Sequence, residues 1–320
     1  DPAPSDRHMS HLYGLALPLL GLAPSVGPAA ERAFAAALTR PEVQYVFGDR
    51  FLNRDNAPQP LLLRARLVAL ALAAVLILLV AVWACEAFGP LGMVVAAALA
   101  AFDPNLLAHG TVATTDLGFT LFFVAGLFLV RRTFHALRPT VAIAAGLALG
   151  MAFASKHSAL LLVPVLLAWA TIRLCDRTPW MLGRRRVLAT GTARTVSLIV
   201  LLLGWMTVSW ATVWAAYGFR HAVGPAVATP QPLAEWTQRI RSERVLAEIL
   251  ARGDAVPDDD VLDRLVAARP PTTAERFITA ASRHHFLPEA YLFGLAVATA
   301  VAQIRNSYLL GTISLTGSVW

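Results

Sequence analysis

Charge is scarce in this sequence, and lysine is almost absent. Only 15% of the 320 residues are charged, against 57% that are hydrophobic, whereas a soluble domain carries charge on about a quarter of its residues. This shortage excludes an ordinary soluble domain. The runs Leu67–Cys85 and Thr195–Tyr217 contain no charged residue, and each is long enough to cross a hydrocarbon core of about 30 Å as a helix. We predict an all-α, multi-pass transmembrane helical bundle.

Cysteine is also scarce, and several common motifs are missing. The two cysteines, Cys85 and Cys175, lie at the ends of apolar runs and are predicted to be free thiols. The sequence has no GxxxxGK[ST] loop and no HExxH pair, which excludes two frequent nucleotide and zinc signatures. The eight histidines have no convincing metal spacing. We therefore assign no metal ligand. Binding of a divalent cation at the site stays an open alternative.

The net charge of +7 comes from arginine, since Lys156 is the only lysine. Basic proteins often bind nucleic acid, but these arginines lie in loops between apolar runs, where they orient a membrane protein in the bilayer. We therefore predict the lipid bilayer as a partner and no nucleic acid.

The apolar runs predict the order of membrane crossings. They are Leu67–Cys85, Leu91–Phe102, Leu117–Val130, Val141–Ala154, Ala159–Leu174 and Thr195–Tyr217, and a weaker run at Ala290–Ile304 is either a span or an interfacial helix. Arginines cluster in the loops at 131–138 and 173–194, so the positive-inside rule makes these loops cytoplasmic. The intervening loops, which contain Asp103, His109, Asp116 and Lys156, then share the outer side.

Four regions follow from this pattern. We expect an outer-face loop segment at 1–66, a transmembrane core at 67–217, an outer-face helical domain at 218–288, and an interfacial or transmembrane helix with the start of a loop at 289–320. In the third region Leu233, Trp236, Ile240 and Ile249 have helical spacing, and Gly253 is suited to end that helix. Thr272 with Glu275 forms a capping box that begins another helix. Because the first residue is Asp1 and not Met, we expect an internal fragment.

Asp116 has two interpretations. Thr114 or Thr115 can begin a helix, and an acid in the first turn is then stabilised by the helix dipole. Alternatively, an ionisable side chain at membrane depth is expensive and commonly serves a substrate. Fifteen residues separate Asp116 from Arg131, about 22 Å of helix, which places Asp116 below the outer surface of a core of about 30 Å.

Lys156 is the second candidate. A lysine at the interface can extend its ammonium to water without further role, but a compact ammonium is also a good partner for phosphate. His157 beside it and His109 in the preceding outer loop are candidate substrate-binding residues, as is Asp103.

Three stretches carry a family resemblance: "LAAFDPNLLAHGTVATTDLGFTLFFVAGLFLVRR", "AGLALGMAFASKHSALLLVPVLL" and "FLPEAYLFGL". Together they resemble the bacterial relatives of the protein O-mannosyltransferases. These are GT-C fold glycosyltransferases of family 39, close to the aminoarabinose transferases and the RgtA/B/C/D-like group. The resemblance is good over about 60–175 and moderate over 284–320.

The resemblance implies a bacterial inner-membrane enzyme that takes a sugar from a polyprenyl-phosphate donor. Transfer takes place on the outer face, to a protein, lipid or glycan acceptor. Asp116 matches the family's site-lining Asp, and Lys156 matches its membrane-proximal Lys. The family's general base lies in an acidic pair after the first membrane helix. Neither Asp1 nor Asp6 is followed by the expected Glu, so we expect the base upstream of residue 1 and an inactive fragment.

Two other classes stay open. A multi-pass transporter would also place charge at membrane depth, but it predicts internal symmetry and matching broken helices, which the sequence does not show. A non-catalytic assembly protein is the other alternative.

Overall fold

The computed structural model describes residues 44–176, 178, 180–182, 186–188, 191–221, 233–304, 307–309 and 312–314. Asp1 and Asp6 lie outside these ranges. The described residues form eleven α-helices and five short strands, so the predicted all-α class is confirmed. The chain divides into two compact units, one ending at Gly218 and the other beginning at Phe219.

The first unit is a bundle of membrane-type helices. Its elements are α1 (Gln44–Asn53), α2 (Pro58–Ala101), α3 (Pro104–Gly110), α4 (Thr115–His135), β1 (Ala136–Leu137), α5 (Pro139–Ser155), a 3-10 helix (His157–Leu161), α6 (Leu162–Cys175), β2 (Trp180–Leu182), β3 (Arg186–Leu188) and α7 (Gly191–Ala216). Four helical segments in the described ranges are long and apolar enough to cross a membrane: α2, α4, the 3-10 helix with α6, and α7. The predicted multi-pass membrane character is therefore confirmed. Helix α5 is apolar but shorter.

Helix α2 turns back on itself at Gly89. Gly89 has φ +77° and ψ −171°, a backbone conformation that is almost restricted to glycine. Leu76 and Leu99 line the same cleft, whereas a straight helix would hold them about 35 Å apart. The predicted runs Leu67–Cys85 and Leu91–Phe102 are thus the two arms of one helical hairpin.

Helices α4, α5 and α7 pack closely through small residues. A Cβ atom on Gly150 would lie 2.5 Å from the Thr212 Cβ, so only glycine allows this approach of α5 to α7. Across the same interface, Trp205 Nε1 donates to the Ala142 carbonyl at 3.0 Å, and Ser209 Oγ donates to the Gly146 carbonyl at 3.2 Å. Bonds of this kind fix the register of the two helices.

A small sheet, which the sequence reading did not predict, joins one end of the bundle. Strand β1 pairs in parallel with β2, which pairs antiparallel with β3. The buried Arg173 fastens this region: its Nε donates to the Phe134 carbonyl at 3.1 Å, and its guanidinium lies 5.2 Å from the Trp180 ring. Asp176 next to it has a lowered pKa, chiefly because the Thr178 hydroxyl and backbone N–H donate to it.

The second unit consists of α8 (Leu233–Ala251), α9 (Asp259–Ala267), α10 (Thr273–Arg283), α11 (Glu289–Val301) and the antiparallel strands β4 (Ser307–Leu309) and β5 (Thr312–Ser314). Three sequence predictions are confirmed here. Leu233, Trp236 and Ile240 are buried on one face of α8. Gly253 has φ +77° just after that helix. Thr272 and Glu275 form the capping box that begins α10.

Candidate functional site

Asp116 and Lys156 form an ion pair at one end of the bundle. Asp116 lies in the first turn of α4, and Lys156 follows the last residue of α5. Because α4 and α5 are antiparallel neighbours joined at their other ends through β1, the start of one meets the end of the other. The Lys156 Nζ donates to Asp116 Oδ1. The lysine side chain is 39% exposed and the aspartate 43%, so both remain accessible.

The carboxylate of this pair borders an open cleft of about 590 Å³. Apolar side chains from the two arms of α2 and from α4 form most of its wall, with Leu76, Leu99 and Leu117 among them. Asp116 and His109 are two of its polar lining residues. The cleft therefore presents ionisable groups at the edge of a largely apolar surface, an arrangement suited to a ligand that is part lipid and part polar.

Asp103 also lines this cleft, with one oxygen already occupied. It is the N-cap of α3, and its Oδ1 accepts a hydrogen bond from the Leu106 N–H at 2.9 Å. This bond holds the start of the short helix that carries His109 to the cleft. The structure thus brings three of the five predicted site residues to one cleft, namely Asp103, His109 and Asp116.

The other two predicted residues lie beside the cleft. Lys156 reaches the site through Asp116 and is not among the described lining residues. His157 begins the 3-10 helix after Lys156 and is partly exposed. In the described part of the chain, no three His, Cys, Asp or Glu side chains converge in a group that could hold a metal ion.

A second charge cluster, which sequence reasoning missed, lies at the other end of α4. Glu86, close to the turn of α2, pairs with Arg131 at 2.9 Å and also with Arg132. The Arg132 guanidinium lies 4.8 Å from the Phe128 ring. The signal in the sequence was that Glu86 directly follows the first apolar run, at the end of that run predicted to lie on the same side as Arg131 and Arg132. The Glu86 cluster fastens the α2 hairpin to α4. It lies at the opposite end of α4 from Asp116, so we assign it no role at the cleft.

The second unit contains two perturbed groups outside the membrane-type helices. Burial disfavours the Glu275 carboxylate, but hydrogen bonds from Arg241 and from Thr272 outweigh it and lower the pKa. The Arg241 Nη2 donates to Glu275 Oε2 at 2.6 Å. Burial and the neighbouring His285 lower the pKa of His221, whose ring centroid lies 3.9 Å from that of His285. The Arg241–Glu275 pair stabilises this unit, whereas His221 Nε2 is buried without a hydrogen-bond partner among the described residues.

The fold and the charged pair define a class: a multi-pass helical membrane protein with an ionic site beside an apolar cleft at one end of its bundle. Comparison with known sequences adds one finding. Residues 61–210, just under half of the chain, match the dolichyl-phosphate-mannose-protein mannosyltransferase family, so this segment is similar to a family of membrane glycosyltransferases.

This match confirms the family resemblance drawn from the sequence, and it includes both Asp116 and Lys156. It ends at residue 210, so it does not cover the moderate resemblance over 284–320. No curated protein and no solved structure matches the chain.

Proposed function

We propose that the chain is part of an integral-membrane glycosyltransferase that moves a sugar from a polyprenyl-phosphate donor to an acceptor on the outer face of a bacterial inner membrane. The acceptor is a hydroxyl of a protein, lipid or glycan. The observation that carries this proposal is the Asp116–Lys156 pair beside the apolar cleft, together with the family match over the same helices. An apolar wall suits a polyprenyl chain, and a charged edge suits its phosphate and sugar.

The proposed reaction places one chemical demand on this site. The acceptor oxygen attacks the anomeric carbon, the bond from that carbon to the phosphate oxygen breaks, and the phosphate leaves with the electron pair. A base takes the acceptor proton. Negative charge therefore grows on the leaving phosphate, and a positive group fixed beside it lowers the barrier. Lys156 is our candidate for that group, because its compact ammonium acts as a point charge toward phosphate.

The ion pair is then the resting state of the site. Both side chains are half exposed, and a donor phosphate that takes the place of Asp116 on Lys156 supplies the negative charge that the exchange removes. Asp116, once released, still borders the cleft. We assign it the role of orienting the sugar, the acceptor or a bound cation, with His109, His157 and Asp103 as accessory substrate-binding residues.

The orientation and the base complete the proposal. The arginine-rich end of the bundle, with Arg131 and Arg132, is the cytoplasmic side, and Asp116 and Lys156 are on the outer side. Residues 218–288 form an outer-face helical domain. The acidic pair that serves as base in this family does not occur in residues 1–320 in its usual form, so we expect this chain alone to transfer no sugar.

Donor binding by the enzyme of which we propose this chain is part tests the proposal. Lys156→Ala should weaken binding of a polyprenyl-phosphate sugar about tenfold, in line with the loss of a charge-assisted contact. Lys156→Arg should restore part of the affinity, because a planar fork replaces a point charge imperfectly. Isothermal titration calorimetry in detergent measures both.

Glu86→Gln is the matched control, since it breaks an ion pair of the same kind at the other end of α4. Its donor affinity should equal that of the unaltered protein. If the Lys156→Ala variant bound the donor as tightly as the unaltered protein and melted at the same temperature, Lys156 would not be a residue of the donor site.

A further inference from the structure

A narrow groove lies between the start of α5 and the first half of α7, at the arginine-rich end of the bundle. Its volume is about 280 Å³, and its apolar lining includes Leu137, Ala142, Val196, Val200 and Leu201. The distance to the Asp116–Lys156 pair is large, because the 17 residues of α5 separate the two ends by about 26 Å. The groove is therefore a separate site from the cleft.

The groove opens on a surface suited to hydrocarbon. Val196 and Val200 are 54% and 63% exposed, and they lie on α7, one of the helices long and apolar enough to cross a membrane. On the other side the wall is fixed, because Trp205 Nε1 donates to the Ala142 carbonyl. In a bilayer this surface faces acyl chains, so the groove offers a lipid-accessible slot with a rigid wall.

One charged side chain, Arg138, stands at this groove. It is the N-cap residue of α5 and is exposed. Other arginines of this end have partners in the described structure: Arg131 and Arg132 pair with Glu86, and Arg194 donates to the Asp176 carbonyl at 3.1 Å. Within the described residues, the Arg138 side chain has no hydrogen bond and no ion pair. It is thus available to an anion from outside the chain.

We propose that this groove binds one anionic glycerophospholipid, with an acyl chain along Val196 and Val200 and the phosphate on Arg138. Basic pockets between membrane helices are recurrent sites for anionic headgroups, and each arginine near such a surface contributes about 1 kcal/mol. Among the residues of the groove, Ser197 adds a hydroxyl to the same headgroup region. This binding would anchor the junction of α5 and α7 in the leaflet on the arginine side, and it does not depend on the proposed glycosyl transfer.

Native mass spectrometry of the 320-residue protein tests the proposal, with dioleoylphosphatidylglycerol and dioleoylphosphatidylcholine as probes. We expect one phosphatidylglycerol to be retained in preference to phosphatidylcholine. Arg138→Gln should lower phosphatidylglycerol affinity about fivefold and leave phosphatidylcholine affinity unchanged. Val196→Trp, which fills the slot from its exposed side, should lower the affinity for both lipids.

Arg252→Gln is the control, since Arg252 is an exposed arginine of the second unit. It should change neither affinity. Arg138→Lys keeps the charge and should retain most of the preference, which keeps the test valid if the glutamine variant folds poorly. Equal retention of the two lipids by the unaltered protein, or equal losses in the Arg138→Gln and Arg252→Gln variants, would overturn the proposal.

Discussion

At the scale of single residues, charge has a different role in each unit. Asp116 and Lys156 are half exposed, which leaves them open to exchange partners with a ligand. Glu275 is only 3% exposed, and its partners are fixed: Arg241 and the capping-box N–H of Thr272. A buried carboxylate of this kind stabilises the fold, whereas an exposed pair beside a cleft is suited to binding.

The stability contributed by Glu275 should depend on pH. Its pKa is lowered in the folded state, so the contribution is present above the ordinary carboxyl pKa and is lost as the pH falls through the lowered value. Glu275→Gln retains a capping side chain but removes the charge, so it should cost about 1–3 kcal/mol at pH 7.

Thermal melts of the two proteins at pH 7 and at a series of falling pH values measure this difference. The gap in melting temperature should shrink once the pH falls through the lowered pKa of Glu275, because the carboxylate of the unaltered protein then becomes protonated and loses its charge. A gap that is constant with pH would assign the effect to packing and not to the Arg241 ion pair.

At the scale of elements, helix starts and turns were the most predictable features. Thr272 and Gly253 have local chemistry that fixes a helix end whatever surrounds it, and both were predicted correctly. The three-stranded sheet was missed, because β1 has only two residues and depends on pairing with residues of β2 that are 45 positions later in the chain. Pairing across such a distance leaves little local pattern in the sequence.

The α2 hairpin provides a prediction at this scale. Gly89→Ala should destabilise the bundle by about 1–3 kcal/mol, because a side chain is strained at φ +77° and ψ −171° even in open space. Gly204→Ala is the matched control: Gly204 lies within α7 with no neighbour within 4 Å of an added Cβ. That substitution should be neutral or stabilising by up to about 1 kcal/mol.

Melting temperatures in detergent compare the two glycine variants. If Gly89→Ala melted at or above the temperature of Gly204→Ala, the sharp turn between the arms of α2 would not depend on glycine.

At the scale of the whole molecule, the sequence pointed to the members of the candidate site but not to their contacts. Asp116 and Lys156 were recognised from charge at membrane depth and from the family resemblance, and 40 residues separate them. Their pairing follows from the antiparallel packing of α4 and α5, which small residues such as Gly126 permit. The pairing of Glu86 with Arg131 at the far end went unpredicted, because the two residues are 45 positions apart and meet only through the packing of α2 against α4.

The central claim is that Asp116 serves a substrate and is not simply a helix-start residue. Sugar transfer by the enzyme of which we propose this chain is part, measured together with its melting temperature, tests this claim most directly. Asp116→Asn preserves shape and the ability to stabilise the first turn of α4, so we expect turnover to fall at least a hundredfold, in the range of lost electrostatic stabilisation at an active site, with the melting temperature nearly unchanged. Full transfer activity combined with a much lower melting temperature would contradict the claim and leave Asp116 as a structural residue of α4.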